Sequence, residues 1–365
     1  MRVINVMWSG GAAYTSVLKV HQQLLNQLGP QAPVTTWLLQ GEAGAEQQAG
    51  VHLWHMSSAQ LKGRGFWRLL KRWTQAKLSR ALSHQDEQII LMDGFGVARV
   101  MLPIVKKSPK LRAVIMVHGT TRISRSDLDL LHCIPRERLS IVAVSATLAE
   151  EVQQSLPFPV RAMRCAVEPK AYISQLLSRQ EARSQLGLPQ DDTPVIGAVG
   201  RLVDTKGFSC LIEAYSRALS QQPRLRLVIL GEGSQRRQLQ MLIEQHGLLG
   251  KVLLPGHVPH VTQLYRAFDW VAIPSEQEGL GLILQEAVIA SVPVIASDLP
   301  VFVEQLGVAG HYVPINDCAA WAEAICTALG RSALTVAKQQ YLALAPEQSW
   351  QNFQQTAKAL LGPRQ

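Results

Sequence analysis

Two carboxylates, Glu278 and Glu286, stand eight positions apart beyond an apolar run, with Gly279 and Gly281 between them. The run, residues 270–273, reads as a buried strand that ends in a turn at Pro274. A helix is expected to begin near Gly281, so Gly279, Leu280 and Gly281 can point unpaired backbone N–H groups at phosphate oxygens. Glu286, about two turns further on, can accept hydrogen bonds from a ribose diol. Glu278 falls where a sugar attached to those phosphates would lie. This is a nucleotide site in outline. The same residues also read as a structural strand–turn–helix with two solvated acids.

The elements that would hold such a site alternate along the chain. In the first half, strands are expected at residues 3–7, 34–39, 51–56, 89–92, 114–117 and 141–144, with an amphipathic helix over 12–28. The pattern restarts in the second half, with strands at 195–199, 225–230, 252–254, 271–273 and 293–296. Strand–helix alternation of this kind argues for doubly wound parallel sheets. The 365 residues are too many for one ordinary core and suit two. A break is expected near 164–169. The expected fold class is therefore α/β, two Rossmann-like doubly wound domains facing a cleft, with ligands at the carboxyl ends of the strands.

Several short motifs share one order and spacing. They are Gly200-Arg201-Leu202-Val203-Asp204-Thr205-Lys206-Gly207, Leu230-Gly231-Glu232-Gly233, Pro255-Gly256-His257 and residues 264–269, the two glutamates above, and residues 291–297. Together they resemble the donor-binding half of glycosyltransferase family 4, whose members are retaining enzymes of the GT-B fold using nucleotide-diphosphate sugars. Leu280 stands where that family usually has an aromatic residue. In the first half the match is thinner: Ser9-Gly10-Gly11 resembles the family's first loop, Val117-His118-Gly119 its His-Gly, and Val144-Ser145 the opening of a later helix. Arg164-Cys165-Ala166-Val167-Glu168 departs from the usual Asn-Gly-Val-Asp. The resemblance implies an acceptor-binding domain over 1–165, a nucleotide-sugar-binding domain over 166–345, and a last helix over 346–365, near Ser349-Trp350-Gln351, crossing back to the first.

In such a reaction the diphosphate leaving group gains charge as its bond breaks, and the protein must stabilise it. Arg201 offers a planar fork and Lys206 a point charge, a combination suited to a diphosphate. Two surface basics are the plainer reading. The resemblance assigns Gly10, Gly11, Arg201, Lys206, Gly279, Leu280, Gly281 and Glu286 to the nucleotide sugar, and His118 and Glu278 to its sugar end as catalytic residues. No metal or other cofactor is expected. The one Asp-x-Asp, Asp127-Leu128-Asp129, reads as a helix start capped by Ser126, and the histidines show no zinc spacing.

Charge is unevenly divided. Residues 1–165 carry 20 Lys and Arg against 10 Asp and Glu, while the rest of the chain is nearly neutral. An extended anionic partner for the first half follows. Residues 62–80 hold seven basic residues and no acid. On a helix, Phe66, Leu69, Leu70 and Trp73 would share one face and Arg68, Lys71 and Arg72 the other, with Trp67 available to insert. That is the pattern of an interfacial membrane helix contacting an anionic membrane surface; a packed helix with a solvated basic back is the alternative. No nucleic-acid motif accompanies the charge. No apolar run is long enough to span a bilayer, and residues 1–7 lack the pattern of a signal peptide. The five cysteines form no close pair and read as reduced thiols packed as small hydrophobes.

The expectation is a cytoplasmic glycosyltransferase, peripheral on the inner face of the cell membrane. It would move a sugar from a nucleotide-sugar donor to a lipid-linked or oligosaccharide acceptor in lipopolysaccharide or exopolysaccharide biosynthesis. A GT-B nucleotide-sugar epimerase and a non-catalytic nucleotide-binding module are the alternatives.

Overall fold

The computed structural model describes residues 2–9, 15–29, 32–40, 50–62, 71–82 and 86–362. Gly10, Gly11, Phe66, Trp67 and Arg68 lie outside the described residues, as does the Lys71 side chain. The chain forms two compact units. One runs to Cys165 and takes back the chain from Gln351; the other is Ala166–Trp350.

Among the described residues, the first unit is built on seven strands: β1 (Arg2–Ser9), β2 (Val34–Gln40), β3 (Val51–Leu53), β4 (Gln88–Asp93), β5 (Leu111–Val117), β6 (Leu139–Ala143) and β7 (Val160–Ala162). They pair in the order β3-β2-β1-β4-β5-β6-β7, every pair parallel. Runs such as Ile89, Ile90, Leu91 and Met92 are fully buried. A parallel sheet covered on both faces demands such continuous apolar strands. Part of the last helix, Pro346–Leu361, belongs to this unit. Arg112 donates to the carbonyls of Gly362 (3.0 Å) and Leu360 (3.4 Å), tying that end to β5.

The second unit has β8 (Val195–Val199), β9 (Arg226–Leu230), β10 (Val252–Gly256), β11 (Trp270–Ile273), β12 (Val294–Ser297) and β13 (His311–Val313). The order is β10-β9-β8-β11-β12-β13, again all parallel. Its helices carry local start signals: Ser178 and Glu181 form a reciprocal cap, and Asp317 accepts from the amides of Ala319 and Ala320. Buried Arg183 donates to the carbonyls of Ala267, Pro189, Asp191 and Thr193, and pairs with Asp269 at 3.1 Å. One cation thus satisfies the loop that leads into β8.

The edge strands β7 and β13 are additional to the sequence expectation. Each is three residues long, too short for periodicity to register. β3 ends at Leu53, short of the expected residue 56. The cysteine reading is corrected at one pair. Cys210 and Cys318 are disulfide-bonded, with Cα atoms 5.2 Å apart across 108 residues of sequence. Cys133, Cys165 and Cys326 take part in no disulfide.

Candidate functional site

In the second unit the chain leaves β8 toward β9 on one side and β11 toward β12 on the other, although β8 and β11 are neighbours. Loops that diverge from adjacent parallel strands leave a crevice at the strand ends. The loop after β8 carries Arg201 and Lys206, and the loop after β11 carries Glu278 to Gly281. The structure joins them. Lys206 Nζ makes an ion pair with Glu278 Oε1, and Ser275 Oγ donates to the same oxygen at 3.0 Å. Both charged side chains keep a small exposed fraction, 15% and 13%. The Glu276 amide donates to the Thr205 carbonyl at 2.9 Å, so backbone also binds the two loops.

Close approach dictates the glycines here. Gly207 has φ 66°, and a Cβ on it would lie 2.0 Å from the Pro274 carbonyl oxygen. A Cβ on Gly231 would lie 1.8 Å from the Gly200 carbonyl oxygen. Only glycine fits either position. Gly281, with φ 78°, opens the helix Leu282–Ile289 with no side-chain cap on its first amides. Leu280 is buried, and its carbonyl accepts from Gln305 at 2.6 Å. Glu286 is 7% exposed and accepts from the Tyr265 hydroxyl at 2.8 Å. Burial, then the Glu286 charge, pushes the Tyr265 phenol well above its ordinary pKa, so it remains a donor. Arg201 is exposed beyond the end of β8. Lys206, Glu278 and the glycines are therefore gathered at one ledge, with Glu286 behind it on the helix.

The first unit gathers a different set. His118 follows β5, and Asp93 ends β4, the strand beside it. His21, on the helix Thr15–Leu25, places Nε2 at 3.0 Å from His118 Nε2. Its Nδ1 lies 2.6 Å from Asn5 Oδ1 on β1. Asp93 Oδ1 stands 3.9 Å from His118 Nε2, and Asp93 Oδ2 accepts from the Trp8 amide at 3.3 Å. Burial dominates the electrostatics of the cluster. It lowers His118 to about 4 and His21 well below the ordinary value, and it raises Asp93 to about 6 against the Trp8 bond. Both imidazoles are thus neutral near pH 7. His21, Asp93 and His118 offer ligand atoms within 4.8 Å of one another, the one cluster of metal-binding residue types among the described residues.

His118 and Asp93 line a recess of about 230 Å³ with Gly94, Gly119 and Thr120. Asp93 also borders a larger cavity of about 890 Å³, whose walls include Trp8, Leu61, Lys62, Arg99 and Asp129. Asp127 faces a cation: Arg99 Nε and Nη2 donate to its two oxygens at 2.6 and 2.8 Å. Burial raises its pKa, but Arg99 and Ser124 outweigh burial and hold it below the ordinary value. The acid does sit in the first turn of a helix, Arg125–His132, but the cap is Ser124, not Ser126.

The described residues cover the basic segment in part. Helices Ser58–Lys62 and Lys71–Arg80 bracket residues outside the description. Trp73, expected on an apolar face opposite Arg72, is 56% exposed, and Arg72 is exposed beside it. Thr74 and Leu78, four residues apart, form the buried line of that helix. The inward line passes through Thr74, one residue or about 100° round the helix from Trp73, enough to turn the indole outward.

Sequence reasoning missed Asn5, His21 and Asp93. His21 carried a signal: it adjoins Val20 and precedes Leu24 by three, so it falls on the inner stripe of its helix, where a histidine must find partners. Asp93 closes an apolar strand immediately before a glycine, as His118 does.

Two all-parallel, doubly wound units with polar clusters at their strand ends define a GT-B fold. Solved structures agree over the whole chain. Anabaena HepE, crystallised with UDP and glucose, superposes with a TM-score of 0.79 at 19% identity, covering 99% of each chain. A glycosyltransferase from Rickettsia africae does so with a TM-score of 0.79 at 18% identity, covering 100% of this chain and 99% of that one. Within this fold, residues 178–338 match the family model of glycosyl transferases group 1. Among curated relatives, a D-inositol 3-phosphate glycosyltransferase of Corynebacterium jeikeium is 33% identical over 185 residues, 47% of this chain and 44% of that protein. A 2-deoxystreptamine glucosyltransferase of Streptomyces kanamyceticus is 29% identical over 133 residues, 36% of this chain and 34% of that one. The matches thus span less than half the length of these relatives.

Proposed function

We propose that the protein is a retaining glycosyltransferase of family 4 that moves a sugar from a nucleotide-diphosphate sugar to a lipid-linked or envelope saccharide. The observation that carries this reading is the convergence of Lys206, Glu278 and the Gly279–Gly281 backbone at the ends of β8 and β11. A diphosphate takes its charge compensation from Lys206, with Arg201 within the same loop, and from the first amides of the helix Leu282–Ile289. Glu278 holds sugar hydroxyls and Glu286 a ribose diol. The neutral His118 imidazole serves a sugar hydroxyl and not a phosphate. A nucleotide-sugar donor is further supported by the relative crystallised with UDP and glucose. Peripheral attachment to an anionic membrane rests on the basic half of the sequence and on exposed Arg72 and Trp73.

Calorimetric titration with a panel of nucleoside diphosphates and their sugars tests the reading. One diphosphate is expected to bind the parent protein, with affinity lost in Glu286→Ala. Unchanged affinity in Glu286→Ala and Lys206→Ala alike would remove the site from this ledge. Transfer in excess EDTA is expected to match the untreated rate; loss restored by manganese or magnesium would bring a metal into the chemistry.

A further inference from the structure

We infer that Asn5 and His21 are positioning residues that fix the tautomer of His118, presenting its Nδ1 as a hydrogen-bond acceptor to a sugar hydroxyl. The inference rests on the reading of His118 given above, and it concerns residues on which that reading is silent. The chain of donors and acceptors has one direction. Asn5 Oδ1 can only accept, so at 2.6 Å His21 Nδ1 must carry the proton. The Asn5 amide nitrogen is turned the other way, donating to Thr36 Oγ1 at 3.3 Å. A neutral His21 protonated at Nδ1 has a bare Nε2. The 3.0 Å contact is then satisfied only if His118 Nε2 carries the proton and donates it. His118 Nδ1 is left with its lone pair.

Burial enforces this arrangement. Asn5 is 1% exposed and His21 is fully buried, so water cannot substitute for either partner. Protonating His21 would set a second N–H against the first at 3.0 Å, and burial resists a charge on either ring. Asp93, at 3.9 Å from His118 Nε2, is too distant to take the proton from His21 in a hydrogen bond. Nε2 points at a fully buried partner, so the opposite edge of the ring is the one left for a ligand in the recess that His118 lines. An acceptor nitrogen there selects a hydroxyl and offers nothing to a phosphate oxygen, which has no proton to donate at neutral pH.

Long-range ¹H–¹⁵N correlation spectra of histidine-labelled protein, recorded without substrate, read the tautomers directly. Nδ1–H at His21 and Nε2–H at His118 are expected. His21→Phe keeps the ring volume but cannot accept; His118 is expected to lose its single tautomer, while burial still holds its pKa below the ordinary value. In that variant turnover with the nucleotide sugar is expected to fall about tenfold or more, with affinity for the nucleoside diphosphate unchanged. His21→Gln, whose amide can donate to Asn5 and accept from His118, is expected to restore both the tautomer and most of the turnover. The idea is overturned by Nδ1–H at His118 in the parent protein. It is also overturned by stoichiometric zinc that leaves with His21→Phe, which would make the cluster a metal site. If the tautomers are as stated but no nucleotide sugar is turned over, the relay stands and the transferase reading fails.

Discussion

The two strand-end clusters handle charge in opposite ways. In the second unit, Lys206 and Glu278 are ionised partners that keep some solvent contact, set on a ledge of glycine backbone. In the first unit, His21 and His118 are held neutral by burial and Asp93 is pushed toward neutrality. Both sets lie at carboxyl ends of parallel strands, so topology alone does not separate them. Side-chain exposure does not either, since His118 and Asp93 keep 14% and 10%, close to Lys206 and Glu278. Partners do: Lys206 and Glu278 meet in a direct ion pair, whereas His118 is backed by the neutral, fully buried His21. A diphosphate suits the ledge and a neutral hydroxyl suits the histidines.

The sharpest way to break this contrast is to remove the ledge's cation. Lys206→Ala is expected to lower turnover by ~10²–10³-fold, the usual effect of deleting one stabiliser of a charged transition state. The circular dichroism spectrum and melting profile are expected to stay those of the parent. A loss no larger than that of an exposed lysine elsewhere would mean that the ledge does not carry the charge.

The neutral cluster makes a prediction in pH. His118 is lowered to about 4, so it contributes stability that is complete above about 6.5 and is lost as pH falls toward 4. Asp93, raised to about 6, works in the opposite sense: its contribution is complete below about 4 and is lost as pH rises through 6. Asp93→Asn removes the opposing partner. The variant is expected to be more stable than the parent at pH 7.5 and to lose stability more steeply between pH 6.5 and 4. The difference is on the order of 3 kcal/mol by denaturant unfolding. Parallel pH profiles for the two proteins would show that Asp93 is solvated and that the clusters do not differ as described.

A smaller effect is expected behind the ledge. Glu286→Ala leaves the Tyr265 hydroxyl without its acceptor and removes the proposed diol contact. Nucleotide affinity is expected to weaken by about 1–3 kcal/mol, measured by calorimetry. Nucleotide affinity should not change in Asp93→Asn, and equal losses in the two variants would erase the division of labour.

Much of the second unit was legible in the sequence because its site is made of backbone. Glycines at Gly207, Gly231 and Gly281 are compelled by close approach or positive φ, so they print directly as spaced motifs. The central strands were legible because burial on both faces writes uninterrupted apolar runs. The cluster around His118 was not, since Asn5, His21 and Asp93 come from β1, a helix and β4, and meet only when the sheet forms. The inward line of the helix Lys71–Arg80, Thr74 and Leu78, was not legible for a related reason: periodicity gives a stripe, but packing chooses which stripe faces in. The Cys210–Cys318 pairing, 108 residues apart, had no local signal at all.

The smallest expected effect lies on the basic surface. Each near-surface basic residue is expected to contribute about 1 kcal/mol to binding an anionic bilayer, with strong screening by salt. Replacing Arg68, Lys71 and Arg72 with Ser is expected to abolish co-sedimentation with anionic vesicles at moderate salt while sparing nucleotide affinity. Co-sedimentation at parental strength would move the attachment elsewhere.

The glycine contacts set limits on how this protein can diverge. Gly207 touches Pro274, Gly231 touches Gly200, and Glu276 is bonded to Thr205, so the loops after β8, β9 and β11 are seated on one another through main chain. An insertion or deletion in any one of them would unseat the other two. New specificity at this end of the sheet is therefore reached by exchanging side chains on an unchanging backbone, as at Leu280. Loop-length variation is confined to segments that bear no such weight. A saturation library would display this as three glycine positions intolerant of every replacement beside neighbours that accept many.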